Sequence, residues 1–182
     1  MGIFDIFKKD TTPTVDPTRD LTLANLKVGY LVDYDLKTWE VVAANYYDWG
    51  DGDISREWQI KSAEETCFLE LEKDDEDDWS LNRLLDFRRL GPRVRQHILD
   101  HGDPPGEINL DGVTYYLEEM AGGHFFKDGH GPGQPVLRWS YEDEAGEKYL
   151  GLEQYGEDEF EAALGLPAKE YQFTNILPRE KS

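Results

Sequence analysis

The chain has 182 residues, with 39 acidic against 19 basic side chains and a formal net charge of -20. That length holds one domain or two small ones, and the charge argues against nucleic acid as a partner, because phosphate backbones would be repelled. Mean hydropathy is low at -0.70, yet 13% aromatic residues let small sheets bury enough area to fold and argue against disorder.

An anionic membrane surface would be repelled as well, whereas basic proteins, polyamines and divalent cations would be attracted. The plain alternative is that acidity keeps the chain soluble. Cys67 is the single cysteine, so an intramolecular disulfide is excluded. It sits in an alternating, acidic run, Thr66 to Leu71, which predicts a core thiol and not a nucleophile. No apolar run is long enough to span a bilayer. The start is too short for a signal peptide, and Ile6 stands where myristoylation prefers Ser or Thr. A cytoplasmic location with no transmembrane segment is expected.

In chain order, residues 1–22 read as an apolar arm and linker. Ile3, Phe4 and Phe7 share one side of a helix, with Ile6, Lys8 and Lys9 beside them. A Pro/Thr/Asp stretch, residues 10–18, follows. From Leu23 the pattern turns to strands: Val28–Asp35, Thr38–Tyr47, Arg56–Ile60 and Thr66–Glu72, an antiparallel meander with a turn over Asp48–Asp53. Leu81–Leu90 and Val94–Leu99 fit strand or helix equally. Asp100–Gly106 is the clearest internal boundary. A second set follows: Glu107–Gly112, Val113–Glu119, a Gly-rich loop from Gly129 to Gly133, and a hairpin of Val136–Tyr141 with Glu147–Glu153.

The two sets match each other. An offset of 81 aligns Trp58 with Trp139, Phe68 with Tyr149, Leu69 with Leu150, Leu71 with Leu152 and Glu72 with Glu153. Upstream, an offset of 76 aligns Asp35 with Asp111, Thr38 with Thr114 and Trp39 with Tyr115. Ile98-Leu99 also echoes Ile176-Leu177. The pattern predicts a mainly β fold with minor α: two similar antiparallel meander or barrel-like halves from an internal duplication. They would span 23–102 and 103–182 behind the 1–22 arm. Trp58, Leu69, Leu71, Trp139, Leu150 and Leu152 are the expected core.

These residues carry a resemblance. Asp35-Leu36-Lys37-Thr38-Trp39, then Arg56-Glu57-Trp58, then Phe68-Leu69-Glu70-Leu71-Glu72 are echoed by Leu110-Asp111-Gly112-Val113-Thr114-Tyr115, Arg138-Trp139 and Tyr149-Leu150-Gly151-Leu152-Glu153. Tyr171-Gln172-Phe173-Thr174-Asn175-Ile176-Leu177-Pro178 closes the pattern. From Leu23 to Pro178 the chain resembles the bacterial domain-of-unknown-function family 4178 (DUF4178), here as two tandem copies. The resemblance implies no activity. It implies company with coat proteins of the phage-shock type, small membrane proteins and polyamine synthase-like enzymes, in membrane-stress or membrane-remodelling systems.

Candidate sites are sparse. His97 and His101 share a helical face, but the Gly-Asp-Pro-Pro that follows ends the helix, so surface histidines are expected. His124 and His130 read as loop histidines. Asp48, Asp51 and Asp53, with Glu57, resemble a loose calcium loop without EF-hand spacing, and a solvated turn is the competing reading. Asp74, Asp75, Asp77 and Asp78 belong to an acidic run that could meet a basic partner or be solvated only. Ile3, Phe4 and Phe7 are candidates for a partner surface or a groove on the protein itself, ahead of a frayed end without a role and, last, a bilayer interface. No nucleophile elbow, phosphate loop or dinucleotide fingerprint is present. The expectation is a non-enzymatic binding or scaffold protein without a cofactor. Its partner would be a protein, basic or of the membrane-coat type. The alternative is a small-cation or polyamine binder using acidic loops, and a third is an enzyme with a site between the halves.

Overall fold

The computed structural model describes residues 21–73 and 76–178. The β-branched and aromatic run after Asp35-Leu36 extends as one long strand, β2 (Lys37–Gly50), paired back on β1 (Leu31–Tyr34). The meander continues through β3 (Asp53–Lys61), β4 (Thr66–Lys73) and β5 (Asp77–Leu85). After a 3-10 turn, Phe87–Leu90, comes the helix α1 (Pro92–His101). Pro92 opens α1, and Gly102 ends it in the left-handed conformation with its N–H on Ile98. A second meander follows: β6 (Glu107–Leu110), β7 (Val113–Phe126), β8 (Gln134–Asp143), β9 (Tyr149–Gln154) and β10 (Phe160–Ala168). The last strand is β11 (Thr174–Leu177).

All eleven strands form one sheet in the order β11-β1-β2-β3-β4-β5-β10-β9-β8-β7-β6, and an extra pairing, β2 with β7, closes eight of them into a ring. Neither half closes by itself, which corrects the expectation of barrel-like halves. Each half lends four strands to the ring. One seam is β5 on β10, from Leu85 opposite Ala162 to Trp79 opposite Ala168. The other joins β2 to β7 at Tyr46–Phe126, Tyr47–Phe125 and Asp48–His124. Tyr46 stacks on Phe126 at 4.5 Å there. Gly123 is required at this seam, because a Cβ would collide with the Asp48 carbonyl and the Trp49 ring.

The alternation of each strand separates two faces. The apolar faces point out of the ring and build two cores. In the first, Trp39, Val41, Trp58, Ile60, Leu69 and Leu71 lie under Leu23, Leu26, Tyr30, Val32 and Phe173. In the second, Tyr115, Trp139, Tyr141, Leu150 and Leu152 lie under Leu90, Val94, Ile98, Ile108 and Leu110. All six residues expected in the core are buried. Val94 and Ile98 are four residues apart, which is why this segment docks as a helix rather than a strand. Ile98-Leu99 therefore lies in α1 while Ile176-Leu177 lies in β11, and the sequence echo between them has no counterpart in secondary structure. β11 pairs with β1 across the full chain separation, with Asn175 donating to Asp33 at 2.8 Å.

Trp58 faces Leu69 across its ladder, whereas Trp139 faces Leu152. Relative to the tryptophans, β9 is thus displaced by two residues from the sequence alignment, because the β8–β9 turn is longer. An even shift leaves every side chain on its expected face. It also makes Glu153 the positional counterpart of Glu70.

The β1–β2 turn places Asp35 and Leu36 at φ 48° and 60°, and the β6–β7 turn places Asp111 and Gly112 at φ 51° and 82°. Leu36 is fully exposed, so nothing repays its left-handed backbone, which costs roughly 1–2 kcal/mol for a residue with a Cβ. Leu36→Gly is expected to raise stability by about 0.5–1 kcal/mol, after allowing for the extra chain entropy of glycine. A urea midpoint that does not rise would show that the turn carries no such strain.

Candidate functional site

The inward faces of the ring strands are polar, and together they line a cavity of about 530 Å³. Alternation on β3 and β4 places Glu57, Glu70 and Glu72 opposite the core residues Trp58, Leu69 and Leu71, and therefore inside. Ten carboxyl groups and three cations, Lys127, Arg138 and Lys169, line this cavity, together with the rings of Tyr47, Phe68, Phe125, Tyr149 and Tyr155.

Arg138, on β8, organises one wall. Its guanidinium donates to Glu70 of β4, to Glu153 of β9 at 2.7 Å, and to Glu72 at 3.4 Å. It also lies 4.2 Å from the Tyr47 ring centroid and 4.9 Å from that of Trp49, a cation held by carboxylates and aromatic faces at once. Burial disfavours its charge, but Glu70 and Glu153 outweigh that and push the pKa well above the usual guanidinium value. Tyr155 donates to Glu153, and the Tyr47 hydroxyl lies 3.4 Å from carboxylate oxygens of Glu57 and Glu153. The cluster joins the two halves through side chains.

Glu57 is different. It is 8% exposed, and its hydrogen-bond donors are neutral: Asn45 Nδ2 at 2.8 Å and Tyr47 Oη at 3.4 Å. Burial first, then the neighbouring Glu70, raise its pKa to about 8, with Asn45 pulling the other way.

The acidic residues singled out in the sequence lie elsewhere or at the margin. Asp48, Asp51 and Asp53 belong to the β2–β3 hairpin. Asp51 and Gly52 take φ 53° and 90° as a two-residue hairpin turn, and the Asp48 carboxylate accepts from the Gly50 N–H at 3.0 Å. Asp48 and Asp51 thus take part in the turn, and Asp53 begins β3. Asp77 pairs with Lys73 at 3.5 Å, and Asp78 reaches the cavity margin. Ile3, Phe4, Phe7, Asp74 and Asp75 lie outside the described residues. His97 and His101 stack at 4.3 Å on α1, and His97 Nδ1 meets the Asp103 carbonyl at 2.7 Å. Among the described residues no group of three or more His, Cys, Asp or Glu is placed to hold a metal ion. Cys67 is fully buried, and burial lifts its thiol to about 11, the opposite of an activated nucleophile. Among the described residues no helix is long and apolar enough to cross a membrane.

Sequence reasoning grouped Glu57 with the Asp48–Asp53 turn and Glu153 with the acidic runs, and it missed the lumen residues Arg138, Tyr47 and Tyr155. The one signal available was that strands with a strictly apolar face carried charged residues at alternate positions, Glu57, Glu70 and Arg138 among them.

Comparison with known proteins gives a single family match rather than two tandem ones. A family model described as "Domain of unknown function (DUF4178)" matches residues 27–170 in one span across both halves. A protein of Aquifex aeolicus (strain VF5), titled "Uncharacterized protein", is 31% identical over 98% of this chain and 100% of its own length. No solved structure matches.

Proposed function

The chain belongs to the DUF4178 family, and we propose that it is a binding protein, not an enzyme, whose ring lumen takes up a small organic cation of the polyamine class. The observation that carries this reading is the charge imbalance of the lumen: ten carboxyl groups face three cations around one cavity. Arg138 is already engaged by Glu70, Glu72 and Glu153. Like charges crowded at a low-dielectric surface are costly, and a bound cation relieves that cost. The cavity volume lies in the range of small-molecule sites, and aromatic walls suit ammonium groups joined by methylenes. The carboxylates are spread along the wall and not gathered into a metal-ligand set, which favours an extended organic cation over a metal ion. The cation-binding surface is thus assigned to the lumen and not to the acidic loops. A role beside membrane-remodelling proteins in the cytoplasm is compatible with such binding and rests on the family resemblance.

We further infer that the halves arose by duplication. The strand order reads symmetrically from the β5–β10 seam, β2 and β7 each have 14 residues, and both bulge at positions 76 apart, Val42 and Glu118.

Spermidine and putrescine are expected to raise the melting temperature of the full chain, whereas Ca²⁺ and Mg²⁺ give smaller shifts. A ligand at about 100 times its Kd adds about 2.7 kcal/mol. The lumen variant Glu142→Gln/Glu161→Gln should lose part of the shift, and the exposed control Glu144→Gln should keep it. An equal shift in both variants would place binding on the outer surface. No polyamine shift would overturn the reading.

A further inference from the structure

Among the described residues two lumen carboxyls are buried, Glu57 and Glu70; Glu70 is paired with Arg138, and Glu57 makes no ion pair. Its two hydrogen-bond donors, Asn45 and Tyr47, are neutral, and the nearby guanidinium of Arg138 is bonded to Glu70, Glu72 and Glu153 instead. The groups that face it are Tyr47 from β2, Glu70 from β4, Arg138 from β8 and Glu153 from β9, with Tyr155 bonded to Glu153 behind them. Two of these are carboxylates that share the single positive charge of Arg138, so an ionised Glu57 adds to a wall that is already net negative. It is more than nine-tenths buried and lines the cavity. A negative charge there is costly, because the group is buried beside Glu70 and the nearby Arg138 is bonded to other carboxylates.

We propose that a cation entering the lumen takes its place against Glu57 and releases to solvent the proton this carboxyl otherwise carries, so that uptake is an exchange of one cation for one proton. This rests on the lumen being the cation site. The direction of the carboxyl's shift, to about 8, agrees with a group that is protonated at neutral pH. An ammonium docked beside it supplies the opposite charge that favours ionisation. By linkage, affinity rises tenfold per pH unit below that value and levels off above it. The ring would therefore load in mildly alkaline conditions and unload as the medium acidifies.

The test is calorimetric titration of putrescine into the full chain at about pH 6.5 and 7.5, in buffers of small and large ionisation enthalpy. Putrescine's alkyl amines stay charged across this range, as that of lysine does. The expected result is close to one proton released per putrescine and about tenfold tighter binding at the higher pH. Glu57→Gln keeps the side-chain shape and the Asn45 hydrogen bond. It should bind with the same affinity at both pH values and release little or no proton. Binding by the wild type without proton release overturns the exchange and leaves the lumen reading intact. No binding at either pH overturns both. Full proton release by Glu57→Gln overturns the assignment to this residue. A readout that needs neither ligand nor variant is the ¹³C carboxyl titration of Glu57 in the ligand-free chain. A midpoint above 7 supports the proposal, and one near the ordinary glutamate value of about 4.3 overturns it.

Discussion

Replacing Arg138 with methionine is expected to destabilise the ring by about 3–5 kcal/mol, the loss typical of removing one partner from a buried ion pair. Arg138 is 8% exposed, and Glu70, on the opposite half, is 7% exposed. Without the guanidinium, Glu70 and Glu153 are left uncompensated, and the stacked Tyr47 and Trp49 rings lose the cation beside them. Some of this is recovered if the carboxyls take up protons, so the deficit should shrink as pH falls. The informative comparison is the triple variant Arg138→Met/Glu70→Gln/Glu153→Gln. Exchanging a whole buried ionic cluster for neutral groups of similar volume is often close to neutral. The triple variant should therefore unfold at a urea concentration much nearer the wild type than the single variant does. If the single variant loses less than about 1 kcal/mol, Arg138 behaves as an exposed ion pair would and the cluster does not hold the halves together.

Trp139→Ala is expected to cost about 3–5 kcal/mol for a different reason. The ring is fully buried, lies opposite Leu152 on β9, and donates Nε1–H to Asp103 at 3.2 Å. Truncation opens a large cavity in the outer core and leaves the boundary loop at Asp103 without its anchor. The neighbouring Leu137 points to the same side of β8 but is 40% exposed, so Leu137→Ala should cost less than about 1 kcal/mol. Trp58 belongs to the other core cluster. The losses of Trp58→Ala and Trp139→Ala should therefore add within about 0.5 kcal/mol. Equal losses at Trp139 and Leu137 in chemical denaturation would contradict this core assignment.

The contrast between these two positions shows what was legible. Trp139 could be read from the sequence because burial against an apolar core is written in the strand's own alternation. Arg138, its immediate neighbour, could not. An arginine opposite a core tryptophan is the normal solvent-facing residue of a half-buried strand, and only its partners on β4 and β9 make it structural. The same holds for Glu57 and Glu70. The histidine pair on α1 and the hairpin aspartates were visible because sequence motifs are local; His97, His101 and Asp48 make local hydrogen bonds.

By itself the sequence determined the strands β1–β4 and β6–β9, their turns and which face of each is apolar, since these follow from period-two alternation and from Gly and Asp residues at positive-φ turn positions. It also specified the acid excess. Its reading left open whether Leu81–Leu90 and Val94–Leu99 would be helix or strand; the first became the end of β5 and a 3-10 turn, and the second a helix whose Val94 and Ile98 join the core of Ile108 and Leu110. Only the tertiary structure decided that the polar faces turn inward. That outcome depends on two seams between distant strands, β2 on β7 and β5 on β10. Nothing within a single strand encodes them, because the backbone hydrogen bonds of a strand edge are the same whichever neighbour satisfies them. Once the seams close, carboxyls that alternation alone would have left in water surround a cavity that they and one arginine must share.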